Sequence, residues 1–338
     1  MIKVFPLTVG STRVPFGQFY GGLDGWTGFG ALRRFATDKA HPLLVPISAY
    51  LIEHPSAGPI LVDTGINSDQ AHAHHAYYHG FMGVVTDEDE YVLTDAQELP
   101  AQLERHGYRC QDIQRVVLTH LHEDHVGGLR HVAHAEVILP QAEWELRNQH
   151  YFGLFPAYYA PSFAMVQRWK LIEFSSEAFH SFDSSYDVLG DGTIRLVPTP
   201  GHTGGHASVI IKTDGYHVLL AADALYTLRH LDVEHVRAFV PGNEQRVAEY
   251  VDSVQRIRAL RDALPDLIVV PTHDHSDYGM NLIPTAFADG MLSSTEIAAI
   301  RAYEARTFDA QWALKRGTYP HYVPPAAQHE TGEVIYGQ

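Results

Sequence analysis

An α/β fold is predicted for this chain by three observations. Short runs of aliphatic, β-branched residues recur along it, among them Arg115-Val116-Val117-Leu118-Thr119, Val218-Leu219-Leu220-Ala221-Ala222 and Leu267-Ile268-Val269-Val270. Stretches of helical period lie between such runs; the clearest spans about 246–264, where Val247, Tyr250, Val251, Val254, Ile257 and Leu260 follow a 3.6-residue repeat. Histidines and aspartates gather at or beside the ends of the strand-like runs, which is where an α/β sheet collects its site.

Met1 to Pro6 reads as an opening strand. Residues 11–30 carry Phe16, Phe19, Tyr20, Trp26 and Phe29 among six glycines, a composition that reads as a loop whose aromatics pack on the core or line a pocket. Leu44 to Glu53 alternates as a strand, and Pro59 to Gly65 pairs with it as a hairpin that ends in an Asp63-Thr64-Gly65 turn. His72, His75 and His79 would share one helix face, but no carboxylate stands at ligand spacing, so a solvated or pocket-rim face is expected. A helix over 95–106, a strand over 136–139 and a helix over 141–149 entered through Pro140 follow. The aromatics of 151–163 are interrupted by Pro156 and Pro161, which break any long helix there. Strands near 193–197, 207–211, 217–221 and 267–271 make the second half, with the 246–264 helix covering the sheet. Beyond Asn281 no motif stands out; a helix over 294–306 precedes a proline-containing tail that either crosses to a partner or stays loosely ordered.

Composition bounds the partners. The net charge is 24 − 40 = −16, which argues against nucleic acid and against an anionic membrane surface, because both are held by Lys and Arg. With 45% hydrophobic and 19% charged residues in 338, the chain can bury a sizeable core. Cys110 is the single cysteine, so neither an intrachain disulfide nor a thiolate zinc site can form. No secretory signal pattern opens the sequence and no apolar run approaches the length of a membrane span, so a soluble cytoplasmic protein is expected.

The chemistry centres on Thr119-His120-Leu121-His122-Glu123-Asp124-His125, closed by Gly127-Gly128. Imidazole and carboxylate on a loop after a core strand are the donors that zinc and similar first-row ions favour. His202 follows in a Pro/Gly-rich turn, Asp223 ends one apolar strand and His273 ends another. In order and context this set resembles the metallo-β-lactamase-fold superfamily. The resemblance implies a four-layer αββα sandwich formed as one domain over 1–338, with its core at about 44–280, an enlarged N-terminal loop region and a C-terminal extension over 281–338. It implies two divalent metal ions, zinc first, with iron, cobalt or manganese as alternatives. His120, His122 and His202 would hold one ion, Asp124, His125 and His273 the other, and Asp223 would bridge them. A hydroxide shared by both ions would attack a carbonyl or phosphoryl centre. Asp63 would orient a ligand histidine.

Within that superfamily, Asp223 disfavours the β-lactamases proper, and the −16 charge disfavours the nucleases. Asp223-Ala224-Leu225-Tyr226, with Pro200-Gly201-His202-Thr203 and Gly205-His206 before it and His273-Asp274 after it, resembles the N-acyl homoserine lactonases from about Leu44 to Asp274. This second resemblance implies a metal-dependent hydrolase that opens the ester ring of a small-molecule lactone. Tyr226 would contact the substrate and not the metals, and Asp124 would pass a proton to the leaving alkoxide. A phosphotriester or aryl ester hydrolase, a glyoxalase II-like thioesterase and a non-catalytic metal-binding scaffold are the alternatives. The chain departs from compact members of the family in its aromatic opening loop, an insertion at about 68–93 and its long tail. These segments bear on the acyl pocket or on a subunit interface, and a homodimer is left open.

Overall fold

A computed structural model describes residues 1–23, 42–80, 83, 86, 90–151, 155–240 and 242–307. Its strands form two facing sheets. The first runs β4-β1-β2-β3-β5-β6-β9, comprising Lys3–Val14 (β1), Leu43–His54 (β2), Gly58–Val62 (β3), Tyr91–Val92 (β4), Arg115–Val117 (β5), Glu136–Pro140 (β6) and Arg168–Ile172 (β9). The β1-β2-β3 meander is antiparallel, whereas β3, β5, β6 and β9 are parallel. A separate two-stranded ribbon pairs His150–Tyr151 (β7) with Phe155–Pro156 (β8). The second sheet runs β10-β11-β12-β13-β14: Tyr186–Asp187, Ile194–Pro198, Ala207–Lys212, His217–Ala222 and Leu267–Pro271, with only the last pair parallel.

Residue alternation along the first sheet assigns its faces. Val45, Ile52, Ile60, Val62, Val117 and Ile138 join one core cluster with Val209, Leu219, Leu220 and Val269 of the second sheet. Their neighbours Leu51, Leu61, Val116 and Val137 point the other way, into a cluster completed by Leu99 and Leu103. Those two leucines belong to the helix Leu99–Arg105, and the 20-residue helix Glu244–Ala263 lays Tyr250, Val254, Ile257 and Leu260 on the second sheet. Helix, sheet, sheet and helix therefore stack in four layers. Among the described residues, no helix is long and apolar enough to cross a membrane.

Several local expectations are corrected. The opening strand does not stop at Pro6 but continues to Val14, because a register shift between Thr8 and Ser11 around Gly10 (φ 122°) keeps it paired to β2. The glycine-rich stretch is not wholly a loop: Phe16–Tyr20 makes one turn of helix with Phe16, Phe19 and Tyr20 buried. Trp26 and Phe29 lie outside the described residues. His72, His75 and His79 do not share a helix face. Two short helices, Ser68–His72 and His74–Tyr77, break at Ala73, and His79 follows both. The 141–149 helix is only Gln141–Glu145, and the expected helix over 95–106 begins as a 3-10 turn at Asp95–Gln97. The terminal helix runs Ser294–Thr307 and the proline-containing tail beyond it lies outside the described residues.

What the fold does for the site is bring strand ends together. Parallel β3 and β5 deliver Asp63 and the His120–His125 loop side by side, and Thr64 N–H donates to the His125 carbonyl at 2.8 Å. The turn after β3 is tight: Gly65 has φ 72°, and a Cβ there would sit 2.2 Å from Val9 Cγ2. Gly65→Ala should lower unfolding free energy by about 1–3 kcal/mol, since it combines a left-handed backbone with a clash against a core strand. An unchanged urea midpoint and slope would show that the turn can relax.

Candidate metal centre

The first histidines leave β5 on a short loop, and His122 stands at the N-terminal boundary of the helical turn Glu123–Val126. That turn packs close to the Asp63-Thr64-Gly65 turn, where a Cβ on Gly128 would lie 2.2 Å from the Thr64 carbonyl oxygen. Glycine is required by that close approach. Asp223 is presented differently. Ala222, the last residue of β13, takes φ 47°, one of three non-glycine residues with a left-handed backbone among those described, and Asp63 is another. Both therefore sit where the chain turns out of a sheet toward the site.

Among the described residues, two groups of donors have ligand atoms within 4.8 Å of one another: His120, His122, His202 and Asp223, and Asp124, His125 and His273. His122 Nδ1 lies 3.0 Å from His120 Nε2 and 2.7 Å from His202 Nε2. Three imidazole nitrogens converging this closely cannot all be satisfied by shared protons, because neutral rings turn lone pairs toward one another. Asp223 stands between the groups. Its Oδ2 faces His202 Nε2 at 3.1 Å and His120 Nε2 at 3.8 Å, while Oδ1 faces His125 Nε2 at 3.2 Å and His273 Nε2 at 3.3 Å. Asp124 Oδ2 lies 3.3 Å from His273 Nε2. His125 Nε2 and Asp223 Oδ1 are buried with no hydrogen-bond partner. Buried nitrogen and oxygen atoms this close to one another yet not aligned for a hydrogen bond fit divalent cations, since an uncompensated buried polar atom is costly. All seven residues singled out from the sequence thus come together. His72, His75 and His79 form no such group.

Comparison with known proteins agrees with this geometry. The model of the metallo-beta-lactamase superfamily matches residues 43–273. The chain belongs to the metallo-β-lactamase superfamily. Among its relatives, the N-acyl homoserine lactonase AttM of Agrobacterium fabrum is 29% identical over 238 residues, covering 68% of this chain and 82% of that protein. A probable metallo-hydrolase of Mycobacterium tuberculosis is 30% identical over 247 residues, covering 68% and 74%. In three dimensions the chain resembles an N-acyl homoserine lactone hydrolase solved with N-hexanoyl-L-homoserine at its catalytic metal centre. That likeness has a TM-score of 0.60 at 24% identity, covering 80% of this chain and 93% of the other, and so speaks for the fold. This member of the superfamily is a metal-dependent hydrolase.

As in any buried metal-binding cluster, orientation of the donors rests on their other ring atoms. Asp63 Oδ2 accepts from His125 Nδ1 at 2.8 Å and from the Thr119 hydroxyl at 2.9 Å, and Oδ1 accepts from Thr119 N–H at 2.9 Å. His273 Nδ1 donates to the Pro46 carbonyl at 2.8 Å. His206, which sequence reasoning quoted only as part of a motif, accepts the Asp223 N–H on Nε2 at 3.1 Å and donates from Nδ1 to the Thr199 carbonyl at 3.1 Å. It thereby holds the backbone of the carboxylate that faces both groups. The Tyr226 hydroxyl lies 3.0 Å from His202 Nδ1, and its ring stacks on Phe19 at 4.7 Å between centroids. Phe19 is fixed in turn by His230, whose Nε2 donates to its carbonyl at 2.7 Å. No sequence signal marked His230 or the helix that it anchors.

Burial is the largest influence on every histidine here. It drives His120 and His202 well below the ordinary imidazole range, which keeps them neutral and able to donate a lone pair. For His125 and His273 burial is outweighed by carboxylates. Asp223 and Asp124 beside them, with Asp63 also beside His125, lift His125 well above its usual value and His273 to about 10. Burial likewise opposes ionisation of Asp124, but His125 and His273 hold its carboxyl at about 2.

Two outcomes follow from these contacts. Asp63→Asn should weaken metal binding by roughly 10–100-fold, because a neutral amide cannot fix His125 while accepting two Thr119 hydrogen bonds; equilibrium titration with Zn²⁺ measures it, and unchanged affinity would remove that role. Burial also depresses His206 and His230 to about 3. Their folded values lie below the unfolded value near 6.5, so the unfolded chain takes up protons that the folded one refuses. The stability that these two histidines contribute should be fully present above about pH 6.5 and be lost as pH drops toward 3. Denaturant unfolding across that window reads it, and a His230→Asn variant with the same pH slope as the parent would exclude His230 as a source.

Proposed function

We propose that the protein is a dinuclear, zinc-dependent lactonase that hydrolyses the ester ring of small lactones, N-acyl homoserine lactones foremost. The observation that carries this reading is the Asp223 carboxylate, whose two oxygens face separate donor groups, with Tyr226 beside it on His202. Relatives named N-acyl homoserine lactonase, such as the Bacillus cereus protein at 30% identity over 198 residues, support the substrate class. His120, His122 and His202 would hold one ion, Asp124, His125 and His273 the other, and Asp223 both. Two such ions supply Lewis acidity at the ester carbonyl and a water acidic enough to attack near neutral pH.

The protein's own groups divide the remaining work. If His202 binds through Nε2, its Nδ1–H donates to the Tyr226 oxygen and leaves the phenol hydrogen free to point at a substrate oxygen. Burial, and after it the charge of Asp223, holds the Tyr226 phenol well above its ordinary range, so that hydrogen is retained. It can then stabilise charge as the carbonyl is attacked. Asp124, 15% exposed where His125 is fully buried, is the carboxylate most open to a bound substrate. Held ionised by its histidines, it can accept a proton from the attacking water and deliver it to the alkoxide that leaves when the ring opens.

Purified protein should contain about two first-row ions per chain, chelation should abolish lactone hydrolysis, and Asp223→Ala should lose at least one ion. Hydrolysis of lactones of varied acyl length, read beside thioesters, aryl esters and phosphotriesters, tests the substrate class; preference by kcat/KM for any of the latter would overturn it. Tyr226→Phe should lower kcat on lactones by about 10²–10³. Unchanged kcat and KM would show a tyrosine that only packs.

A further inference from the structure

Glu143 is a fully buried carboxylate that no step above uses. It lies in the short helix Gln141–Glu145 after β6, and none of its surface is exposed. Four donors surround it. Oε1 accepts from Leu121 N–H at 3.1 Å and from the Tyr158 hydroxyl at 2.8 Å. Oε2 accepts from the Thr203 hydroxyl at 2.6 Å and from Gly205 N–H at 3.2 Å. These partners are not scattered. Leu121 lies between His120 and His122, Thr203 follows His202, and the Tyr158 ring leans on the His122 ring with centroids 5.4 Å apart.

From this arrangement we infer that Glu143 is a positioning residue that ties the loop bearing His120 and His122 to the loop bearing His202. It sets the geometry of that one metal site and not of its neighbour. The inference rests on the metal-centre reading proposed above. A carboxylate suits the task because it only accepts, and each oxygen here meets two donors. Glutamine has the same shape but would turn an NH₂ toward one of those donor pairs, freeing one loop or the other. The close approach is built in: a Cβ on Gly205 would lie 2.0 Å from Glu143 N, so glycine is needed for the second loop to reach the carboxylate. The other site is fixed by different groups, Asp63 on His125 and the Pro46 carbonyl on His273. Glu143 touches neither.

The test is Co²⁺ titration of the full-length chain, followed by its visible absorption, in two backgrounds. In His273→Ala, which keeps the His120/His122/His202 site, adding Glu143→Gln should weaken the remaining ion by about 10–100-fold, the usual effect of losing a group that orients ligands. In His202→Ala, which keeps the Asp124/His125/His273 site, adding Glu143→Gln should leave affinity unchanged. Thr203→Val removes one of the four donors and should give the same one-sided pattern at smaller size, which keeps the test open if Glu143→Gln does not fold; Thr203→Ser should restore affinity. Equal losses in both backgrounds, or none in the first, would overturn the inference. A parent chain that binds no Co²⁺ would instead overturn the metal-centre reading on which it stands.

Discussion

The two oxygens of Asp223, turned toward different clusters of imidazole, are the point on which the structure depends. A carboxylate buried to 4% exposure would be costly if left alone, and so would the histidine nitrogens beside it. Brought together they satisfy one another only in part: His125 Nε2 and Asp223 Oδ1 remain without hydrogen-bond partners. Divalent cations between the donors would resolve that charge inside a low-dielectric interior. Most other features near the centre can be understood as holding those donors still.

That holding is distributed over both sheets. The first sheet supplies Asp63 and the histidine loop from adjacent parallel strands, and the second supplies His202, Asp223 and His273 from the ends of β11, β13 and β14. Four of the seven donors are steadied by a group from elsewhere in the chain: His125 by Asp63, His273 by the Pro46 carbonyl, Asp223 by His206 and His202 by Tyr226. Polar contacts of this kind work here because they are buried and nearly all paired, so each has one favourable geometry. The helix Phe16–Tyr20 adds an aromatic cover, stacking Phe19 on Tyr226 and reaching His275 through the Tyr20 hydroxyl at 3.3 Å.

The same logic explains the glycines and left-handed residues. Ala222 and Asp63 accept backbone strain where the chain must leave a strand and present a carboxylate inward. Gly128 and Gly205 are needed where one site loop meets another segment at less than a side chain's width. A side chain at Gly128 or Gly205 would meet backbone and push a site loop away from its neighbour.

The sequence by itself determined the fold class, the strands that frame the site and the seven histidine and aspartate side chains that the fold gathers into two donor groups. These signals are local: alternating apolar runs, a helical period, and donor residues placed immediately after strands. Composition also settled that no intrachain disulfide could form, because Cys110 is single. Only the tertiary structure decided what surrounds those donors. Glu143 is one polar residue on a short helix until folding places Leu121, Tyr158, Thr203 and Gly205 around it, partners up to 62 positions away. His230 becomes an anchor for Phe19 across 211 positions. The histidines at 72, 75 and 79 misled for the converse reason, since a 3.6-residue spacing means a shared face only if the helix continues, and it breaks at Ala73. Spacing along a chain records which side chains can be neighbours within one element. Which elements meet, and which buried group must then answer for another's hydrogen bonds, is fixed by packing two sheets together.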